Sequence, residues 1–161
     1  MNSMDDIRQI IRKTIFSTVS YRSLREVVQD KGLAKLGDVL VNFIYSLAKS
    51  LILGRLDAWK VSDAVLSRAL EEASLLKVLP RRSDKHSRGD AVEALIAYAW
   101  IMGIFDVENA VMLFKEEIKQ SDFNNKKLEA IAAVRAFRKL LEEIKPKIKI
   151  LLVMRKVKKE L

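Results

Sequence analysis

Apolar positions recur along this chain every three to four residues, which is the spacing of an α-helix. The isoleucines at 7, 10, 11 and 15 form one such stripe. The chain holds only five glycines and two prolines, and alternating β-branched positions are scarce. We therefore expect an all-α fold. The helices are predicted to begin near Ser3 and to cover about 23–29, 33–53, 62–76, 87–103, 106–119, 124–145 and 146–161, with Pro146 separating the last two.

The predicted helix 33–53 contains a glycine and an acid inside its apolar run. Gly37 costs about 1 kcal/mol relative to alanine within a helix, so its presence indicates that a neighbouring backbone approaches closely. Asp38 follows it, on or beside the buried face. An acid in that position needs a partner. Gly54 is predicted to end the helix.

The predicted helix 87–103 is almost wholly apolar after two acids at its start. Ser87 and Asp90 match the capping-box pattern. Asp90 and Glu93 are three residues apart and therefore share one face of the helix. No charged residue follows until Asp106, so most sides of the helix should be buried. The two acids either cap the helix and face solvent, or bind a cation.

Composition narrows the class of protein. A length of 161 residues suits a single domain, 1–161, with a substantial core. The absence of cysteine excludes disulfides and thiolate metal sites, and a single histidine excludes a histidine-rich zinc site. We find no apolar run long enough for a transmembrane helix and no secretory signal pattern, so we expect a cytoplasmic protein.

A net charge of +9 favours a polyanionic partner such as nucleic acid. The basic residues cluster in two stretches, one just before the Asp90 helix and one in the basic amphipathic helix 146–161. The tail could instead be solvated or lie on an anionic membrane. His86, between the basic loop residues, is expected to be solvated. The candidate phosphate-binding residues are Arg81, Arg82, Lys85, Arg88, Arg155, Lys156, Lys158 and Lys159.

Two motifs of this chain, in the order in which they occur, resemble those of the catalytic domain of the ribonuclease III family. The first is Leu36-Gly37-Asp38, and the second is the stretch DAVEALIA at 90–97. The segment 61–70 is similar to the family's intervening helix. The resemblance covers roughly residues 20–105. Within the family, the chain resembles the small forms that lack a double-stranded-RNA-binding domain, such as mini-ribonuclease III. The resemblance also suggests an archaeal member of the family.

The resemblance implies an all-α, ribonuclease III-like endonuclease-domain helical bundle that forms a homodimer and cuts both strands of double-stranded RNA. It implies that Asp38, Asp90 and Glu93 are the catalytic residues and hold Mg²⁺, or Mn²⁺ in its place. Asp57 and Asp63 are further candidates for the same site. Without an RNA-binding domain, the basic loop and tail residues would have to hold the RNA.

Two departures from the family pattern keep other functions open. The family's usual enzymes carry glutamates where this chain has Lys31 and Ala34, although mini forms also place an alanine at the second position. The chain could therefore be a non-catalytic member that binds structured RNA or a ribonucleoprotein. Asp38 would then be held by a buried hydrogen bond, by Lys31 or by Lys35. A helical scaffold that pairs through its apolar faces is a third interpretation.

Overall fold

The computed structural model describes residues 3–160, and the side chains of residues 7–160. This part of the chain contains seven α-helices, one short 3₁₀ helix and no β-strand, which confirms the all-α prediction. The last residue of the predicted tail helix, Leu161, lies outside it. The helices are α1 Ser3–Thr14, α2 Leu24–Gln29, α3 Lys31–Leu53, α4 Asp63–Glu72, α5 Lys85–Ile101, α6 Val107–Ile118 and α7 Lys126–Glu160, and the 3₁₀ helix is Leu76–Val78.

Helix α5 lies at the centre of the bundle and contacts α1, α2, α3, α4 and α7. From Ala91 to Ala99 every side chain is buried, including that of Glu93, and the apolar sequence after Glu93 predicts this burial. Aromatic side chains close the core at two points. Tyr98 of α5 lies edge-on to Tyr21, with ring centroids 5.3 Å apart, and Phe114 meets Phe137 at 4.7 Å.

Helix α5 begins earlier than predicted, and its cap is a different residue. The carboxylate of Asp84 accepts a hydrogen bond from the backbone N–H of Ser87 at 2.8 Å, so Asp84 is the N-cap. The predicted capping box of Ser87 and Asp90 is therefore wrong. Because the helix starts at Lys85, Asp90 is in its second turn, where its carboxylate is not needed for capping.

Helix α4 ends four residues before the predicted boundary. Ser74 has a φ of 59°, in the left-handed region, and the N–H of Leu75 bonds back to the carbonyl of Leu70 at 3.1 Å. This is the hydrogen-bond pattern of a helix C-terminus. Leu75 and Leu76 continue the apolar sequence, so apolar spacing alone did not reveal the break. The predicted end of α3 at Gly54 is confirmed, with a φ of 69°.

The prediction that Pro146 separates two helices is wrong, because α7 continues from Lys126 to Glu160. Proline removes one helical hydrogen bond, which leaves the carbonyl of Glu142 without its usual donor. Both Pro146 and Glu142 are exposed, so water can reach that side of the helix. Ile144 and Ile148 are buried on either side of the proline and hold the helix against the core.

Helix α3 is long and apolar enough, by length and composition, to cross a membrane. In this structure it is a core helix. It packs along α5 and α6, and Val41, Ile44 and Ala48 are fully buried. Its composition therefore does not indicate a membrane protein.

Candidate active site

A cavity of about 650 Å³ lies between α3, the segment leading into α4, and the first half of α5. All three acids predicted to form the site, Asp38, Asp90 and Glu93, line it, and so does Asp63. Four basic side chains share the cavity. These are Lys31, Lys35, Lys60 and His86.

Two glycines allow the helices to bring these acids together. A Cβ atom on Gly37 would lie 1.9 Å from the backbone oxygen of Glu93, so α3 can approach α5 this closely only without a side chain there. This confirms the close approach that Gly37 predicts. A Cβ atom on Gly89 would lie 2.7 Å from the carboxylate of Asp63, so this glycine makes room for the α4 acid.

Glu93 lies deepest in the cavity and is 6% exposed. Its burial, followed by the charges of Asp38, Asp90 and Asp63, raises the pKa of the Glu93 carboxyl to about 8. Near neutral pH the group is therefore largely protonated when no cation is present. Four carboxyl groups in one small cavity repel one another, and a bound cation would relieve that repulsion.

Asp38 is half-buried and is held by α3 itself. Its Oδ1 accepts a hydrogen bond from the side-chain amide of Asn42 at 3.1 Å. The amide oxygen of Asn42 in turn accepts the backbone N–H of Val61 at 2.7 Å. This chain of bonds connects α3 to the segment before α4 and orients the Asp38 carboxylate at the wall of the cavity.

Asp90 and Asp63 are paired with the two basic residues nearest to them. The Nζ of Lys31 lies 3.2 Å from the Oδ2 of Asp90. The imidazole of His86 stands between the two acids, with Nδ1 3.3 Å from Asp63 and Nε2 3.6 Å from Asp90. The hydrogen bond with Asp63 and the charge of Asp90 raise the pKa of His86. When the ring is protonated, it forms an ion pair with both carboxylates.

The donor set is chemically suited to a divalent cation, since carboxylate oxygens are the ligands that Mg²⁺ and Mn²⁺ prefer. Burial and the charges of the neighbouring carboxylates raise the pKa of Glu93, and a cation bound beside it would favour the ionised carboxylate. Within residues 7–160, however, no three acid or imidazole groups are close enough to hold a metal as they stand. Asp90 would first have to release Lys31.

The remaining predicted residues lie elsewhere. Asp57 does not line the cavity; it pairs with Arg55 at 2.7 Å, and this contact lowers the pKa of its carboxyl. Lys85 and Arg88 line a groove beside α4, and Arg81 lines another beside the 3₁₀ helix. Arg82 is exposed on the same loop. The tail residues Arg155, Lys156, Lys158 and Lys159 line a groove near the end of α1.

Sequence reasoning underestimated the basic side of the cavity. His86 was expected to be merely solvated, yet it bridges Asp63 and Asp90. Lys31 was considered as a partner of Asp38, but it pairs with Asp90. The spacing of Lys31, Lys35 and Asp38 could have indicated one shared helical face. Lys60 had no such signal, because it comes from a loop.

The pKa of Glu93 predicts a pH dependence of stability. The folded protein binds a proton on Glu93 between about pH 4.5 and about 8, where an unfolded glutamate has lost it. Stability should therefore fall as pH rises through this window, by at most about 1.4 kcal/mol per pH unit. His86 contributes with the same sign, since its raised pKa stabilises the fold only while it is protonated.

Denaturant unfolding of the wild type and of Glu93→Gln, without metal, separates the two groups. We expect the wild type to lose more stability between pH 5 and pH 8 than the variant does, because the variant keeps only the His86 contribution. Saturating Mg²⁺ should reduce the difference at high pH. Parallel pH profiles for the two proteins would contradict the shifted pKa.

Comparison with protein families gives one match, and the matched region includes the whole cavity. The family model described as Ribonuclease III matches residues 31–150. No curated protein matches the chain. The family match carries no information on the source organism. It covers most of the 161 residues and all four acids of the cavity, and such domains generally use divalent metals in RNA processing. The chain belongs to the ribonuclease III family.

Proposed function

We propose that this protein is a metal-dependent endoribonuclease that hydrolyses phosphodiester bonds in double-stranded or structured RNA. The observation that supports the proposal is the convergence of Asp38, Asp90 and Glu93 from two helices on one open cavity. Acids that cannot all be charged at once are expected where a cation binds. Family membership points to RNA as the substrate.

Asp38, Asp90 and Glu93 are the residues that would hold the cation, and Asp63, which lines the same cavity, would contribute through a water molecule. The proposed cation is Mg²⁺, with Mn²⁺ as a substitute. A divalent ion in such a site activates water and stabilises the charge that develops during phosphodiester hydrolysis. The protein contributes the positions of the acids, which Asn42 and the two glycines maintain.

The basic residues of the cavity fit the phosphate groups of the substrate. Lys35 and Lys60 line the cavity beside the acids. Both are free of ion pairs among the side chains that the structure describes, so their ammonium groups are available for phosphate oxygens. Lys31 is 76% exposed and could move from Asp90 to a phosphate when a metal binds.

The experiment that tests this function is cleavage of a labelled RNA duplex by the purified protein, with Mg²⁺, with Mn²⁺ and with EDTA. We expect both strands to be cut with either metal and neither strand to be cut with EDTA. Binding without cleavage under all conditions would contradict the proposal.

A second candidate function is supported by the ion pair between Lys31 and Asp90. The Nζ of Lys31 lies 3.2 Å from the Oδ2 of Asp90, so this acid already has a positively charged partner without a metal. A non-catalytic member that binds structured RNA would need such a partner for its buried acids. The two functions differ in the effect of metal on the protein alone. A catalytic site should raise the melting temperature when Mg²⁺ is added, because the ion binds only the folded state. A non-catalytic member should show no such rise.

We also propose that the protein is a homodimer that pairs through α3. Leu36, Val39 and Phe43 lie on one face of this helix and are 42%, 66% and 52% exposed. Adjacent exposed apolar side chains on a core helix are typical of a self-association surface.

Replacing Phe43 with glutamate should convert the dimer to a monomer in sedimentation or light-scattering measurements. The introduced charge would be buried without a partner in the paired form, but would be solvated in the monomer. Leu56→Glu is the matched control, since Leu56 is 88% exposed on a loop and should not affect assembly. A wild type that is already monomeric would contradict the prediction.

A further inference from the structure

A basic groove lies on the side of α5 away from the candidate active site. It has a volume of about 540 Å³, and its cations are Arg25, Lys77, Arg81 and Arg88. We call it the loop groove. Arg88 is fixed across the loop by a hydrogen bond from its Nε to the hydroxyl of Ser83 at 3.2 Å. Arg25 comes from α2, and nothing in the sequence pattern connected it with the loop.

A second basic groove of about 550 Å³ lies where the end of α7 packs against the segment after α1. Its cations are Arg22, Arg155, Lys156, Lys158 and Lys159, and one acid, Glu160, also lines it. We call it the tail groove. The Nζ of Lys159 donates a hydrogen bond to the hydroxyl of Ser20 at 2.8 Å, which holds the tail against that segment.

The two grooves flank the same short stretch of chain. Arg22 lines the tail groove, and Arg25, three residues later, lines the loop groove. Among the described side chains, no cation of either groove forms an ion pair, although other basic residues such as Arg68, Arg135 and Lys139 do. Unpaired cations in two grooves that meet the same stretch of chain attract a polyanion to this part of the surface.

The loop groove and the acid-lined cavity lie on different sides of α5. Arg88 and Asp90 are two residues apart on α5, which places them about 200° apart around the helix axis. The cavity and the two grooves have no lining residue in common. A stretch of RNA seated at Asp38, Asp90 and Glu93 therefore does not use these cations directly.

We propose that the loop groove and the tail groove together bind a second segment of RNA phosphate backbone, separate from the segment at the acid-lined cavity. The nature of the ligand rests on the proposed function, but the binding does not require the cavity to be catalytic. The large apolar side chains that line the grooves, Phe16, Leu76, Leu79 and Leu152, are at least partly buried. The groove linings therefore present cations rather than apolar side chains, which favours phosphate contacts. Val153, Met154 and Val157 are exposed on the same end of α7 but outside both linings, so binding to anionic vesicles is included in the test.

The test uses two charge reversals, Arg25→Glu and Lys156→Glu, made together so that each groove loses one exposed cation. Lys126→Glu with Lys127→Glu is the matched control, because both lysines are exposed and the change in net charge is the same. The control positions are far from the tail groove, since residue 126 is 29 residues from Arg155 along α7, or about 44 Å at the rise of an α-helix. Binding is measured in the Asp38→Asn background, so that cleavage does not interfere.

We expect the groove variant to bind a duplex of three helical turns at least about tenfold more weakly than the control at low salt. The slope of log affinity against log salt should also fall by about two, one for each lost phosphate contact.

Equal affinities of the two variants for the long duplex would overturn the proposal. So would a groove variant that loses binding only to anionic lipid vesicles, since the partner would then be a membrane. The proposed catalytic function is tested separately, by RNA cleavage with protein that retains Asp38. A protein that cuts no RNA yet shows the groove-dependent binding would disprove the nuclease and support this inference.

Discussion

Replacing Asp38 with asparagine should reduce cleavage of duplex RNA by at least about 100-fold. Even residues that only support a metal ligand cost 10- to 100-fold when changed, and Asp38 is proposed as a ligand itself. Asparagine keeps the size of the side chain and can still accept the hydrogen bond from Asn42. It loses the charge that a divalent cation requires. The fold and the affinity for RNA should therefore stay nearly unchanged.

Asp57→Asn is the matched control for this experiment, since it makes the same chemical change on an exposed loop outside the cavity. Its ion pair with Arg55 is exposed to solvent, and such pairs contribute little to stability. We expect this variant to cleave like the wild type. Rates are compared by single-turnover cleavage with saturating Mg²⁺, and melting curves confirm folding. An active Asp38→Asn protein would remove the basis of the proposed site.

Replacing Gly37 with alanine should destabilise the protein more than the same change at either of the other helical glycines, Gly32 and Gly89. The new Cβ atom would lie 1.9 Å from the backbone oxygen of Glu93, so α3 and α5 would have to separate. Overpacking a core typically costs about 1–3 kcal/mol, and a clash with backbone rather than with a movable side chain should reach or exceed the upper end. We expect the melting temperature to fall by roughly 10 °C.

Gly32→Ala is the control in the same helix. Its Cβ atom would lie 3.2 Å from the carboxylate of Asp30, a side chain that can shift slightly. Alanine is also favoured over glycine in a helix by up to about 1 kcal/mol, so this variant should be neutral or stabilised. Thermal unfolding of the two variants gives the comparison. If Gly37→Ala melts with the wild type, the close contact between α3 and α5 does not exist in solution.

Local sequence patterns predicted the helices well and their boundaries less well. The predicted helix starts near residues 23, 62 and 106 and the end of α3 at Gly54 are confirmed, with Ser23, Ser62 and Asp106 as the N-caps, because each depends on residues a few positions apart. The continuity of α7 through Pro146 was not predictable in this way. It depends on burial of residues on both sides of the proline against other helices.

In the candidate site, too, some features follow from local sequence and others only from the packing of distant residues. The acids were identifiable from their motifs, and the glycine of Leu36-Gly37-Asp38 indicated close packing before the structure showed what it packs against. The pairing of His86 with Asp63, across 23 residues, and that of Lys31 with Asp90, across 59 residues, have no local signal. Arg25 likewise joins the loop groove only because α2 packs beside the 3₁₀ helix.

The sequence by itself determined the all-α class, the buried central helix, the excess of positive charge and the three acids of the proposed site. The first three follow from composition or from spacings shorter than two helical turns, over which an α-helix has one regular geometry. The three acids follow from the two motifs that resemble the ribonuclease III family. Only the tertiary structure decided which basic residues line the cavity with the acids and which line the separate grooves. That outcome depends on how distant helices pack, and at Gly37 a single missing Cβ atom permits the approach.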